Sequence, residues 1–154
     1  MDASATGDKA AVLQAPSNDD FRHGEFLSLP RGRLLKGQVL VVEDDPDLLK
    51  SLARFLQDEG FTVEVARHGL EALGRLRGGS RPDLILLDLM MPVMTGWEFR
   101  YAQWQDSELA HIPVVVISGL DDSPRHAAWL EADDYVQKPI PVDVLLDTVH
   151  RYCD

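Results

Sequence analysis

The 154-residue chain is 45% apolar and 27% charged, a balance that points to one globular domain and excludes a wholly disordered polymer, domains of about 100 to 150 residues being the commonest. Lysines and arginines number 15 against 26 aspartates and glutamates, and the net charge of −11 disfavours a nucleic-acid surface. The single cysteine, Cys153, excludes an intramolecular disulfide and a cysteine-rich zinc site.

Met1 to Lys36 is rich in Ala, Ser, Asp, Gly and Pro, and no apolar period persists there. A flexible N-terminal extension, residues 1–36, is expected ahead of a folded domain at 37–154. Its acids (Asp2, Asp8, Asp19, Asp20, Glu25) and bases (Lys9, Arg22, Arg31, Arg33, Lys36) cancel, which places the whole charge excess on the domain. Phe21, Phe26, Leu27 and Leu29 read as a frayed tail, with docking on the domain or a partner as the alternative. Met1 to Gln14 lacks the basic and apolar regions of a secretory signal, and no apolar run approaches the roughly 20 residues that span a bilayer. A cytoplasmic location without membrane insertion is therefore expected.

From Gln38 onward, short apolar runs alternate with segments of helical period. Val39 to Val42 predicts a strand that stops at acids, and Leu48, Leu49, Leu52, Phe55 and Leu56 fall on one helical face that ends at Gly60. Phe61 to Val65 predicts a second strand. Gly69 opens a helix carrying Leu70, Leu73 and Leu76, and Leu84 to Leu87 is a third strand that ends at Asp88. Val114 to Ile117 is the fourth, Tyr135-Val136 ends a short fifth, and Val142, Leu145, Leu146 and Val149 mark the last helix. Strands apolar on both faces and separated by helices imply an α/β fold, a doubly wound parallel sheet of five βα units. Ligands of such sheets sit beyond the carboxyl ends of the strands, where the strand order reverses.

The residues expected at those ends are Glu43, Asp44 and Asp45 after strand one, Asp88, Ser118, and Lys138-Pro139 after strand five. Clustered carboxylates repel unless a hard, oxygen-seeking cation lies among them, and Mg2+ suits a partly hydrated site with few carboxylates. A metal, an ammonium and a hydroxyl are the parts that transfer a phosphoryl group to a carboxylate oxygen, with Asp88 as nucleophile.

The segments Val39-Leu40-Val41-Val42-Glu43-Asp44-Asp45, Asp88-Leu89-Met90-Met91-Pro92-Val93-Met94-Thr95-Gly96, Val116-Ile117-Ser118-Gly119 and Ala132-Asp133-Asp134-Tyr135-Val136-Gln137-Lys138-Pro139 occur in that order. Through them, Gln38 to about Arg151 resembles the receiver domain of two-component response regulators, with a flavodoxin-like fold. The resemblance implies that Asp88 is phosphorylated by a histidine kinase or histidine phosphotransfer protein. It implies that Asp44 binds Mg2+ directly, that Glu43 helps to position the ion, and that Met90 offers it a backbone carbonyl. Ser118 and Lys138 are then expected on the phosphoryl group, Tyr135 is expected to turn inward as Ser118 moves, and the bond after Lys138 is expected to be cis. The product is a switch read by a downstream protein target, not an enzyme acting on an outside metabolite.

Asp45-Pro46 reads instead as a helix N-cap followed by proline. The chain ends soon after the last helix, which suggests a stand-alone receiver, a fragment of a longer protein being the alternative. The segment between Ser118 and Lys138 is shorter than is usual in the family, and Glu131 stands where glycine is common, so helix four is expected to be short, with Pro124 near its start. Trp97, Tyr101 and Trp104 share a helical face that serves either a partner or packing; Phe99 is assigned to the core, and Trp129 to packing, with a place on an output face as the alternative. The five histidines show no ligand spacing and are read as surface residues. Met90 and Leu120, two positions after Asp88 and Ser118, cannot orient an attacking water, so slow dephosphorylation is expected. Two other readings remain. One is a receiver-like interaction module that works without phosphorylation; the other is a haloacid-dehalogenase-type hydrolase, which wants an aspartate where Met90 stands.

Overall fold

The computed structural model describes residues 36–119 and 123–153. Five strands and five helices alternate: β1 (Gln38–Val42), α1 (Pro46–Asp58), β2 (Thr62–Ala66), α2 (Gly69–Arg77), β3 (Leu84–Asp88), α3 (Gly96–Trp104), β4 (Val114–Ser118), α4 (Ser123–Trp129), β5 (Asp134–Gln137) and α5 (Val142–Cys153). All neighbouring strands are parallel, in the order β2-β1-β3-β4-β5, which reverses between β1 and β3.

Strand alternation divides the core. Val39, Val41, Leu84, Leu86, Val115 and Ile117 face α1 and α5, meeting Leu49, Leu52, Leu56, Leu145 and Val149. Leu40, Val42, Ile85, Leu87 and Val114 face the other way, onto Ala72, Leu73 and Leu76 of α2 and Phe99 of α3. β3 and β4 are buried along their whole length, which is why their sequences lack polar alternation. Each fully buried aliphatic side chain contributes about 1.5–3 kcal/mol.

Local chemistry sets the helix ends. Asp45 caps α1, its Oδ1 accepting from the N–H groups of Asp47 and Leu48, with Pro46 at the first helical position. Thr95 and Glu98 form a reciprocal capping box at the start of α3.

Several readings need correction. β2 begins at Thr62 and runs to Ala66, and β5 extends to Asp134 and Gln137 on either side of Tyr135-Val136. The histidines are not uniformly superficial. His68 caps α2, its Nδ1 accepting from Glu71 N–H at 3.2 Å; His126 meets the Trp97 ring edge-on, and His150 tilts against Phe61. Trp129 is 78% exposed, because the buried side of α4 and the turn after it is taken by Ala127 and Leu130. Trp97 packs against Leu89, Val116 and Leu130, whereas Tyr101 and Trp104 reach solvent, so the aromatic stripe is half packing and half surface. The short α4, with Pro124 at its second position, is as expected. Residues 1–35, including His23 and the stretch Phe21 to Leu29, and Leu120 lie outside the described residues.

Candidate functional site

Strand register brings the polar strand ends to one level. Val42 pairs with Leu87, so Glu43, one residue on, lies beside Asp88; Asp88 pairs with Ile117, and Ser118 with Gln137, next to Lys138. The Lys138 N–H donates to Ser118 O at 2.8 Å, tying the ends of β4 and β5 together, and the Lys138–Pro139 bond is cis. Gly96 completes the floor. Its N–H donates to Leu89 O at 2.9 Å, and a Cβ there would stand 2.6 Å from Asp88 O, so a side chain would push α3 away from the aspartate's backbone.

Glu43 and Asp88 are only 1% and 4% exposed, and Asp44 is the more open of the three acids. One carboxylate oxygen of each lies within 4.8 Å of the others. Lys138 Nζ is 2.8 Å from Glu43 Oε1 and 3.4 Å from Asp88 Oδ1. The Lys138 ammonium is the partner of the buried Glu43 Oε1. Glu43 Oε2 is engaged differently, accepting from Asp45 N–H at 3.1 Å.

The electrostatics follow from this crowding. Burial, reinforced by the charge of Glu43 and only partly opposed by Lys138, pushes the Asp88 carboxyl up to about 7. Burial also raises Glu43, against the opposing pull of Lys138. Burial disfavours the Lys138 charge, but its bond to Glu43 and the charges of Glu43 and Asp88 outweigh this and raise its pKa. Among the described residues, a cluster of three carboxyls thus has one ammonium against it, in contact with Glu43 and Asp88. An oxygen-coordinated divalent cation matches that donor set.

The loop after β3 is strained. Met94 N–H donates to Pro92 O at 2.7 Å around Val93, whose φ of 69° places a β-branched residue in the left-handed region. Gly69 N–H holds the loop by donating to Met94 O at 3.2 Å. The Met90 side chain is 59% exposed beside Asp88, and Tyr135 also reaches solvent from β5.

Glu43, Asp44, Asp88, Ser118 and Lys138 therefore converge as the strand ends implied, while Asp45 turns away into its cap. Sequence reasoning missed Arg100 and Gln103, two buried polar residues of α3. Their signal was present: Gly96, Phe99, Arg100 and Gln103 follow the i, i+3, i+4, i+7 spacing of a buried face.

A doubly wound α/β protein with an acidic pocket at its switch point is the class that this geometry defines. The response regulator receiver domain family matches residues 39–150, and the chain belongs to that family. It is 38% identical to the response regulator MprA of Mycobacterium ulcerans over 111 residues, 71% of this chain and 47% of that protein. The chain thus spans about half the length of the curated relatives it matches. Among solved structures, the signal receiver domain of a signal transduction histidine kinase from Syntrophus aciditrophicus superposes with a TM-score of 0.67 and 36% identity, covering 75% of this chain and 89% of the other. The chemotaxis response regulator CheY4 of Vibrio cholerae gives 0.69 and 31%, covering 75% and 98%. TrrA of Thermotoga maritima, solved in complex with Mg(2+)-BeF, gives 0.66 and 28%, covering 75% and 98%. The chain carries a receiver domain of two-component systems, a signalling module and not a conventional enzyme. Among the described residues no helix is long and apolar enough to cross a membrane.

Proposed function

We propose that the protein is a phosphorylation-dependent switch in which Asp88 accepts a phosphoryl group from a histidine kinase or histidine phosphotransfer protein. The observation that carries this reading is the Asp88 carboxyl at the end of β3, inside a trio of carboxylates within 4.8 Å and 3.4 Å from the Lys138 ammonium. Glu43, Asp44, Asp88 and the Met90 backbone carbonyl are the groups that would hold Mg2+, which when bound supplies positive charge against carboxylate and phosphoryl oxygens.

In the reaction an Asp88 oxygen attacks phosphorus, the bond from phosphorus to the donor histidine nitrogen breaks, and an acyl phosphate forms. Lys138 pairs with one phosphoryl oxygen and the Ser118 hydroxyl donates to another. Drawing Ser118 inward shifts the end of β4 and lets Tyr135 follow, so the surface around α4, β5 and α5 becomes the output read by a downstream protein. An acidic surface of net charge −11 favours protein partners over nucleic acid. Residues 37–154 act as the receiver unit in the cytoplasm, with 1–36 as an extension.

Mass spectrometry after incubation with a small acyl-phosphate donor and Mg2+ tests the assignment. One added phosphoryl group, absent in Asp88→Asn, is the expected result; no gain with any donor overturns it in favour of a phosphorylation-independent interaction module. Met90 offers the phosphoryl group no group that orients water, so the adduct is expected to decay slowly. A lifetime of seconds without a phosphatase refutes that part.

A further inference from the structure

Arg100 is a buried cation that the pocket chemistry does not use. It lies on α3 at 5% exposure, yet its hydrogen-bond acceptors are neutral oxygens. Nε donates to Leu130 O at 2.8 Å, Nη2 to Glu131 O at 2.6 Å, and Nη1 to Gln103 Oε1 at 2.8 Å. The guanidinium also lies 5.2 Å from the Trp104 ring centroid. Leu130 and Glu131 follow the last residue of α4, where carbonyls lose their helical partners and a cation complements the helix dipole.

The turn that Arg100 holds is a strained one. Glu131 N–H donates to Ala128 O at 3.1 Å and Ala132 N–H to Ala127 O at 2.9 Å, a Schellman pair whose central residue must be left-handed. Glycine suits that position, but here Glu131 takes it at a φ of 51°. Immediately after the turn, Asp133 N–H donates to Val114 O and Asp133 Oδ2 accepts from Val114 N–H, both at 2.8 Å, which sets the register of β5 on β4. Gln103, oriented by Arg100, donates to Leu109 O at 2.9 Å and Ile112 O at 3.1 Å, just ahead of β4. Leu130 packs on Leu89, the neighbour of Asp88. One helix is therefore fastened at its start to the backbone of Leu89, the neighbour of Asp88, and, through Arg100 and Gln103, to the starts of the two strands that deliver Ser118 and Lys138.

We propose that Arg100 is a positioning residue of the phosphoryl site: by holding the Leu130 and Glu131 carbonyls it locks the left-handed turn from α4 into β5 and thereby places Tyr135 and Lys138. The functional half of this inference rests on the aspartyl-phosphate reading; the structural half does not.

The test uses the full chain and the variants R100Q, E131G and R100Q/E131G. Melting temperatures are expected to be non-additive, R100Q costing clearly less in the E131G background, where the backbone strain that Arg100 restrains is gone. Amide NMR of R100Q is expected to show shifts that travel through Tyr135 to Lys138 and revert in the double variant. Labelling of Asp88 by the acyl-phosphate donor is expected to slow on the order of tenfold or more in R100Q, the scale of a displaced catalytic group, and to recover in R100Q/E131G. Additive melting shifts, together with amide changes confined to α3 and α4, overturn the proposal. If the wild type takes no phosphoryl group, the reading of Asp88 fails while the melting and NMR results still decide the role of Arg100. Should R100Q not fold, R100K with and without E131G decides in the same way, since a lysine cannot reproduce the forked contacts.

Discussion

Two buried charged sites flank α3, one beside its start and one at its middle, and they are resolved in opposite ways. At the acid pocket, Glu43 and Asp88 share one ammonium, and Asp88 is pushed up to about 7. At the clamp, the Arg100 guanidinium is matched by two backbone carbonyls and an amide oxygen, and burial, partly offset by Asp133 and Glu131, shifts it downward from a value far above neutrality. The pocket is electrostatically incomplete within the chain, so an ion, a proton or a phosphoryl group can change it. The clamp is complete, so it transmits position without responding to those agents. Buried charge by itself does not mark a functional site; buried charge that its own neighbours leave under-compensated does.

That contrast breaks most visibly at Lys138. Lys138→Met removes the one cation that the described residues place in the pocket and leaves two buried carboxylates without it, which is expected to cost about 3–5 kcal/mol in metal-free urea unfolding. The loss should be greater at pH 8 than at pH 5, where protonation relieves the acids, and Mg2+ should restore part of it. A loss unaffected by pH and Mg2+ would mean that the pocket is as self-sufficient as the clamp.

The pH dependence of stability sharpens the same point. Below 3.8 Asp88 is protonated both folded and unfolded; between 3.8 and about 7 the unfolded chain has released a proton that the fold retains. The contribution is therefore full below the unfolded value and lost as pH rises through the folded one, by up to about 4 kcal/mol. The difference between wild-type and Asp88→Asn unfolding curves isolates it: the variant should gain relative stability as pH rises from 4 to 8, and saturating Mg2+ should shrink the gap. A difference that stays flat across this range would contradict the crowding of Asp88.

The smallest expected effect is a control. Asp45→Ala removes the α1 cap and should cost about 1 kcal/mol while leaving Mg2+ affinity unchanged, because the Asp45 carboxylate points into its own helix. A fall in Mg2+ affinity comparable with that of Asp44→Ala would place Asp45 in the pocket after all.

Much of this was legible from residue types and spacing. Apolar runs ending in acids located the strands, the helical spacing of Leu48 to Leu56 located α1, and Asp45-Pro46 announced its cap, because these signals depend on neighbours a few residues apart. Asp88, Glu43, Asp44, Ser118 and Lys138 could be nominated together because parallel topology sends every strand's carboxyl end to the same edge. The exposure of Trp129 and the contacts of His68, His126 and His150 were not legible because the face that a short helix buries, or the group that a histidine meets, depends on how the elements pack. Arg100 shows this best, since two of its three acceptors are backbone oxygens that follow it by 30 and 31 residues. No side-chain pattern encodes a carbonyl partner.

By itself, then, the sequence determined the parallel α/β order and the identity of the acids and the lysine at its edge, since both follow from local periodicity and the rules of strand connection. Only the tertiary structure decided that Lys138 falls short of neutralising the pocket, that Glu131 adopts a left-handed turn, and that Arg100 holds it. Those outcomes depend on distances of a few ångströms between segments far apart in the chain, set by how the layers pack and not by any one stretch of residues.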